Sequence, residues 1–198
     1  MSLRDLRGTV GNTSEVGTVL LTLVLSVTAG YALGGRLSRL DRVPYRGLPL
    51  LALACASYLA GLGAALAGLP VGATYGPGLG AAAAGVLAFC LRSRAVAGTG
   101  LVGAGLLANT TAVAVNGGMP VSAWAARRAG LRPGQVATDV LHVPARAGTA
   151  LRWLGDVVPA PLPFRPEVVS LGDLLIAAGL AQLVLTAMRP ARWWPRQR

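Results

Sequence analysis

The chain has 198 residues, of which 54% are hydrophobic and only 13% charged, against about 25% charged in a soluble domain. Mean hydropathy is +0.59. All 18 basic residues are Arg and 7 residues are acidic, a net charge of +11. One His and two Cys without paired spacing exclude zinc fingers, haem attachment and iron-sulfur clusters, so no metal or cofactor is expected. The arginines lie between apolar runs rather than in a solvated basic domain with stacking aromatics, which excludes nucleic acid and makes anionic lipid the expected acidic partner.

A bilayer core needs roughly 20 apolar residues in a helix. Residues 16–35 form the first such run, uncharged throughout and closed by Arg36, Arg39 and Arg42. It has no small-residue cleavage site and reads as a retained span. Residues 47–91 carry no charge and are long enough for two crossings, near 48–68 and 74–91, with a turn expected at 70–78 where two prolines and three glycines gather. A fourth span is expected at 95–115, and a fifth at 168–188, interrupted only by Asp173. The predicted fold is therefore all-α, a polytopic bundle of about five transmembrane helices in one domain. An extracytoplasmic connection over 116–167 precedes the last helix, and a basic tail follows at 189–198.

Orientation is read from short loops, where Arg and Lys favour the cytoplasm. The arginines at 36–46, at 92 and 94, and in the tail fall on one side of a five-span chain. That places the C-terminus in the cytoplasm and the N-terminus outside. The six arginines of the fourth connection run against this, partly offset by Asp139, Asp156 and Glu167. Tyr45, Trp124, Trp153, Trp193 and Trp194 lie near span ends, where amphipathic rings favour the headgroup zone. Pairs of small residues four apart (Gly30 and Gly34, Ala60 and Ala64, Gly76 and Gly80, Ala81 and Gly85) allow close helix packing. Cys55 and Cys90 read as packed thiols.

Asp173 is the one ionisable group inside an apolar run, and an intramembrane acid is a candidate for function. Ser170-Leu171-Gly172-Asp173 also has capping-box spacing, which would make the same carboxylate a helix cap. A second Gly-Asp pair ends at Asp156, separated from the first by a proline-rich stretch expected to be extended. If that stretch doubles back, Asp156 and Asp173 would meet and could share a proton and activate water. The alternative is a loop acid paired with Arg152 at helical spacing. Residues 115–122, VNGGMPVS, cannot continue a helix through Gly117, Gly118 and Pro120, so their backbone groups need partners. Asn109 lies seven residues before Asn116, roughly on the same helical face. As a site this segment forms a donor-rich shelf; otherwise its polar groups bond neighbouring helices.

NGGMPVS, His142 in the loop beyond it, LGDVVP and SLGDLLIA together resemble a bacterial family of small multi-span membrane proteins of unknown function. More distantly they resemble lipoprotein signal peptidase, signal peptidase II. The first resemblance implies the bacterial cytoplasmic membrane. The second implies Asp156 and Asp173 as a catalytic pair, with Asn116 in a surface segment that positions substrate. Asn109, Gly117, Gly118 and His142 complete the candidate substrate-binding set. The order differs from the peptidase, which has a two-span hairpin between its Asn segment and first Asp and an Asn-x-Ala before its second. Two functions follow. One is a membrane-interface aspartyl hydrolase acting on a lipid-anchored or membrane-embedded substrate. The other is a non-catalytic membrane subunit or scaffold that docks a protein partner through its outer loop. A transporter is disfavoured by the absence of an inverted repeat.

Overall fold

The computed structural model describes residues 14–69, 71–131, 142–161 and 166–189. Six α-helices lie within them: α1 Ser14–Ala32, α2 Leu48–Leu66, α3 Val71–Arg92, α4 Thr99–Asn116, α5 Ala123–Ala129 and α6 Leu171–Met188. Four short strands join them: β1 Met119–Val121, β2 His142–Pro144, β3 Asp156–Ala160 and β4 Glu167–Ser170. The last helix is central. It packs between α1 and α4, α4 packs on α3, and α3 on α2.

The expected all-α bundle of about five transmembrane helices is overturned on two counts. Among the described residues only Leu171–Met188 is both long and apolar enough to cross a membrane. Among the described residues the apolar stretches Gly17–Ala32, Leu48–Ala64 and Pro77–Arg92 fall short of the 18 residues of that helix. Helix α4 has 18 residues but carries Asn109, Thr110, Thr111 and Asn116 and does not meet the same standard of apolarity. An uncharged run in sequence is thus not equivalent to a span. The orientation read from the arginines depended on the five-span count and has no support without it.

The second count is the sheet. The connection expected to be an outer loop folds into a mixed four-stranded sheet in the order β2-β1-β3-β4. β1 runs parallel to β2 and β3, and β3 is antiparallel to β4. Helix α5 packs its buried Ala125, Ala126 and Ala129 against Val121 of β1 and Val168 of β4. Pro120, Pro144 and Pro159 all sit in strands. Because proline removes a ladder donor, these prolines argued against strand and concealed the sheet.

The break expected at 70–78 is also displaced. Helix α2 ends at Leu66, Gly68 turns with φ +90°, and α3 already runs from Val71 through Pro77. Gly78 serves contact rather than a turn: an added Cβ would lie 2.8 Å from the Ser57 carbonyl of α2. The closest crossing joins α4 to α6. A Cβ on Gly105 would overlap the Gly172 carbonyl, and one on Gly98, at φ +92°, would overlap that of Gly179. These two pairs, each seven residues apart, bring the antiparallel backbones into contact. Of the anticipated small residues, Gly30 meets Met188 and Gly85 meets Ala54, while Gly34 and Gly80 face open space. Cys90 is buried and Cys55 exposed. Trp193, Trp194 and Asp139 lie outside the described residues.

Candidate functional site: a polar junction between sheet and helices

Strand β4 ends where α6 begins, and Ser170 makes the transition. Its backbone is extended, at φ −85° and ψ 168°, and its Oγ accepts from the Asp173 amide at 2.9 Å. Asp173 Oδ2 accepts in return from the Ser170 amide at 2.8 Å and lies 2.7 Å from Ser170 Oγ. This is the capping box that S-L-G-D spacing signals, and the carboxylate sits where the helix dipole favours negative charge. Its other oxygen, Oδ1, accepts from Asn109 Nδ2 of α4 at 2.7 Å. Asn109 Oδ1 lies 2.8 Å from Ser170 Oγ, so the single hydroxyl proton is shared between two acceptors. Asn109 reaches this position because Gly172 carries no Cβ, which would otherwise overlap the Asn109 carbonyl oxygen.

Asp156 approaches the same junction from β3. It is directly opposite Ser170 in the antiparallel ladder, and opposed residues carry their side chains on one face with Cβ atoms about 5 Å apart. Its carbonyl accepts from the Ser122 amide at 2.9 Å. Its carboxylate is buried, with Oδ2 3.4 Å from His142 Nε2. His142 is brought there by β2, paired with Met119 across β1. A Cβ on Gly155 would overlap the Pro120 carbonyl, so the glycine lets β3 close on β1. The structure therefore groups Asp173 with Asn109 and Ser170, and Asp156 with His142, on adjoining strands. Arg152, the alternative partner for Asp156, is exposed in a single 3-10 turn.

Asn116 has a separate task. Its Nδ2 donates to the Ala150 carbonyl at 2.9 Å and its Oδ1 accepts the Ala150 amide at 3.0 Å. That two-way pairing holds the loop before β3 against the end of α4. Gly117 ends α4 at φ +71°, and Gly118 is buried just before β1. Asn109 and Asn116 thus serve different neighbours despite their seven-residue spacing.

Two participants went unnoticed in the sequence. Glu167 is fully buried, and its carboxylate accepts from Gly17 N at 3.2 Å, Thr18 N at 3.1 Å and Thr18 Oγ1 at 2.7 Å. It ties β4 to the first turns of α1, where amides lack helical partners. Gly17 has no room for a side chain because the carboxylate occupies that space. At the opposite end of α6, Arg39 Nη1 donates to the Met188 carbonyl at 2.9 Å and the Arg36 amide does so at 3.0 Å. A cation there complements the negative helix end. In sequence these residues registered only as charges, because their partners are about 150 residues away.

The chain belongs to a family of unknown function, DUF5317. The family model matches residues 48–185, which include Asn109, Asn116, His142, Asp156, Ser170 and Asp173 but exclude α1. No curated protein and no solved structure matches the chain. Among the described residues no cluster of three His, Cys, Asp or Glu side chains could hold a metal ion.

Proposed function

We propose that this DUF5317 protein is a non-catalytic, membrane-associated subunit whose sheet and capped helix ends form a rigid platform for a protein partner. The observation that carries this reading is the complete engagement of Asp173, with Oδ1 taken by Asn109 and Oδ2 by Ser170. A carboxylate whose two oxygens are both directed to fixed donors is held in one place, as a cap requires. Membrane association is supported by α6 and by apolar side chains turned outward on other helices, such as Val24 at 61%, Leu53 at 62% and Leu91 at 64% exposure. Large apolar side chains left this exposed on three helices fit a surface that faces lipid.

A second reading, the aspartyl hydrolase, is favoured by one observation: the ladder sets Asp156 opposite the serine that caps Asp173. The two readings differ in the sign of a stability change. For the subunit, Asp173→Asn weakens the cap by about 1 kcal/mol, and the chain releases nothing from a diacylglyceryl-modified peptide. For the hydrolase, Asp156→Asn and Asp173→Asn each abolish peptide release and leave thermal unfolding unchanged or later, because like charges no longer repel. Unfolding in detergent and a peptide-release assay on the same preparations decide between them.

A further inference from the structure

The loop over residues 145–154 is fixed at both ends and in the middle. The Ala145 amide donates to the Val121 carbonyl at 2.9 Å, Asn116 clasps both backbone groups of Ala150, and Gly155 closes on Pro120. From this fixed loop Leu151 and Trp153 project outward, 39% and 60% exposed. Leu151 is the one non-glycine among the described residues at positive φ, at 46°. Left-handed backbone is unfavourable for a branched apolar residue, and glycine or asparagine would relieve it. Leu151 thus holds strained backbone while leaving 39% of its surface uncovered, and such outliers point to use by something outside.

We propose that this loop is a wedge seated in the headgroup layer of an anionic bilayer, an inference that rests on the membrane association proposed above. The occupant is identified by chemistry and continuity. Arg146 and Arg152 are exposed on the loop, which contains no acid, so it complements lipid phosphates, each arginine adding attraction that falls off within a Debye length. The Asn116 clasp sets the loop beside the last turn of α4, where Val113 and Val115 are exposed at 39% and 52%. The tryptophan thus lies between an apolar helix surface and the exposed Arg146 and Arg152, the setting in which indole rings occupy the interface.

The test uses the full chain with Trp153 as its only tryptophan, made by Trp124→Phe, Trp193→Phe and Trp194→Phe. It is reconstituted in phosphatidylcholine vesicles with and without phosphatidylglycerol, and flotation confirms entry. Lipid brominated high on the acyl chain should quench Trp153 emission by about half, and more strongly with phosphatidylglycerol present. Arg146→Gln with Arg152→Gln should remove that anionic increment. Leu151→Gly should reduce quenching while thermal stability in detergent stays level or rises, which separates a role at the membrane from a role in folding. Emission quenched by aqueous iodide but not by brominated lipid, in vesicles with which the chain floats, overturns the wedge and leaves membrane association standing. Failure to float with either vesicle overturns both.

Discussion

The α4–α6 crossing and the α2–α3 hairpin are both pairs of apolar antiparallel helices, yet they are built differently. At α4–α6 the backbones touch through Gly98 with Gly179 and Gly105 with Gly172, and one end is locked by Asn109, Ser170 and Asp173. In α2–α3, Gly78 and Gly85 approach the partner helix while Gly63 and Gly80 meet nothing within 4 Å. Leu53 and Leu59 of α2 are more than half exposed. Both pairs look equally glycine-rich and apolar in sequence. What distinguishes them is a geometric requirement: the first crossing joins two glycine–carbonyl contacts to a hydrogen-bonded side-chain lock, and the second combines tight approaches at Gly78 and Gly85 with open faces at Gly63 and Gly80.

The largest effect should come from filling the fixed crossing. Gly105→Leu places a branched side chain where the Gly172 carbonyl and Ile176 already lie, so the helices must separate and Asn109 is drawn away from Asp173. A loss of about 3 kcal/mol or a failure to fold is expected, measured as thermal unfolding in detergent. Next in size is Glu167→Ala. It strips the acceptor from two α1 amides and one hydroxyl at a fully buried position, and buried donors left without a charged acceptor cost about 2 to 3 kcal/mol. Hydrogen exchange should show the loss concentrated in the first turns of α1. If exchange instead rises uniformly, β4 and α1 unfold as one unit, and the locked and loose regions do not differ in local stability.

Asn109→Ala should be milder, about 1 to 2 kcal/mol, because Asp173 keeps its two contacts with Ser170 while Oδ1 loses its donor. Combined with Ser170→Ala, the losses should not be additive, since the three side chains form one network. Additive losses would mean that the asparagine and the capping box act independently, and that the crossing is fixed by its glycines alone.

How much of this was legible follows from how far apart the partners lie. The capping box is local, and Ser170 with Asp173 revealed it by spacing. The helical stretches were likewise visible as apolar runs, though not their number as spans, because the absence of charge along a run does not measure how apolar it is. The sheet was hidden by its prolines and by strands of three to five residues, too short to show alternation. Glu167 with Gly17, and Asn109 with Asp173, are separated by 150 and 64 residues, so no local pattern joins them. A sequence reading could have noted that Gly98 and Gly105 share the seven-residue interval of Gly172 and Gly179. In antiparallel helices that equality sets the two pairs face to face.

The smallest effect tests the other side of the contrast. Gly80 lies inside α3, is exposed, and meets no atom within 4 Å where a Cβ would be built. Its cost is therefore the backbone freedom that glycine loses on entering a helix, about 0.5 to 1 kcal/mol relative to alanine. Gly80→Ala should raise stability by that amount, whereas Gly172→Ala, with the identical change in composition, should lower it because the new methyl overlaps Asn109. Measured side by side in one detergent, opposite signs would establish that the glycines of α6 are fixed by contact and that this one in α3 is not. A loss at Gly80 would instead show that its open face is covered in the folded protein, and the surface it occupies would then belong to an interface rather than to surrounding solvent or lipid.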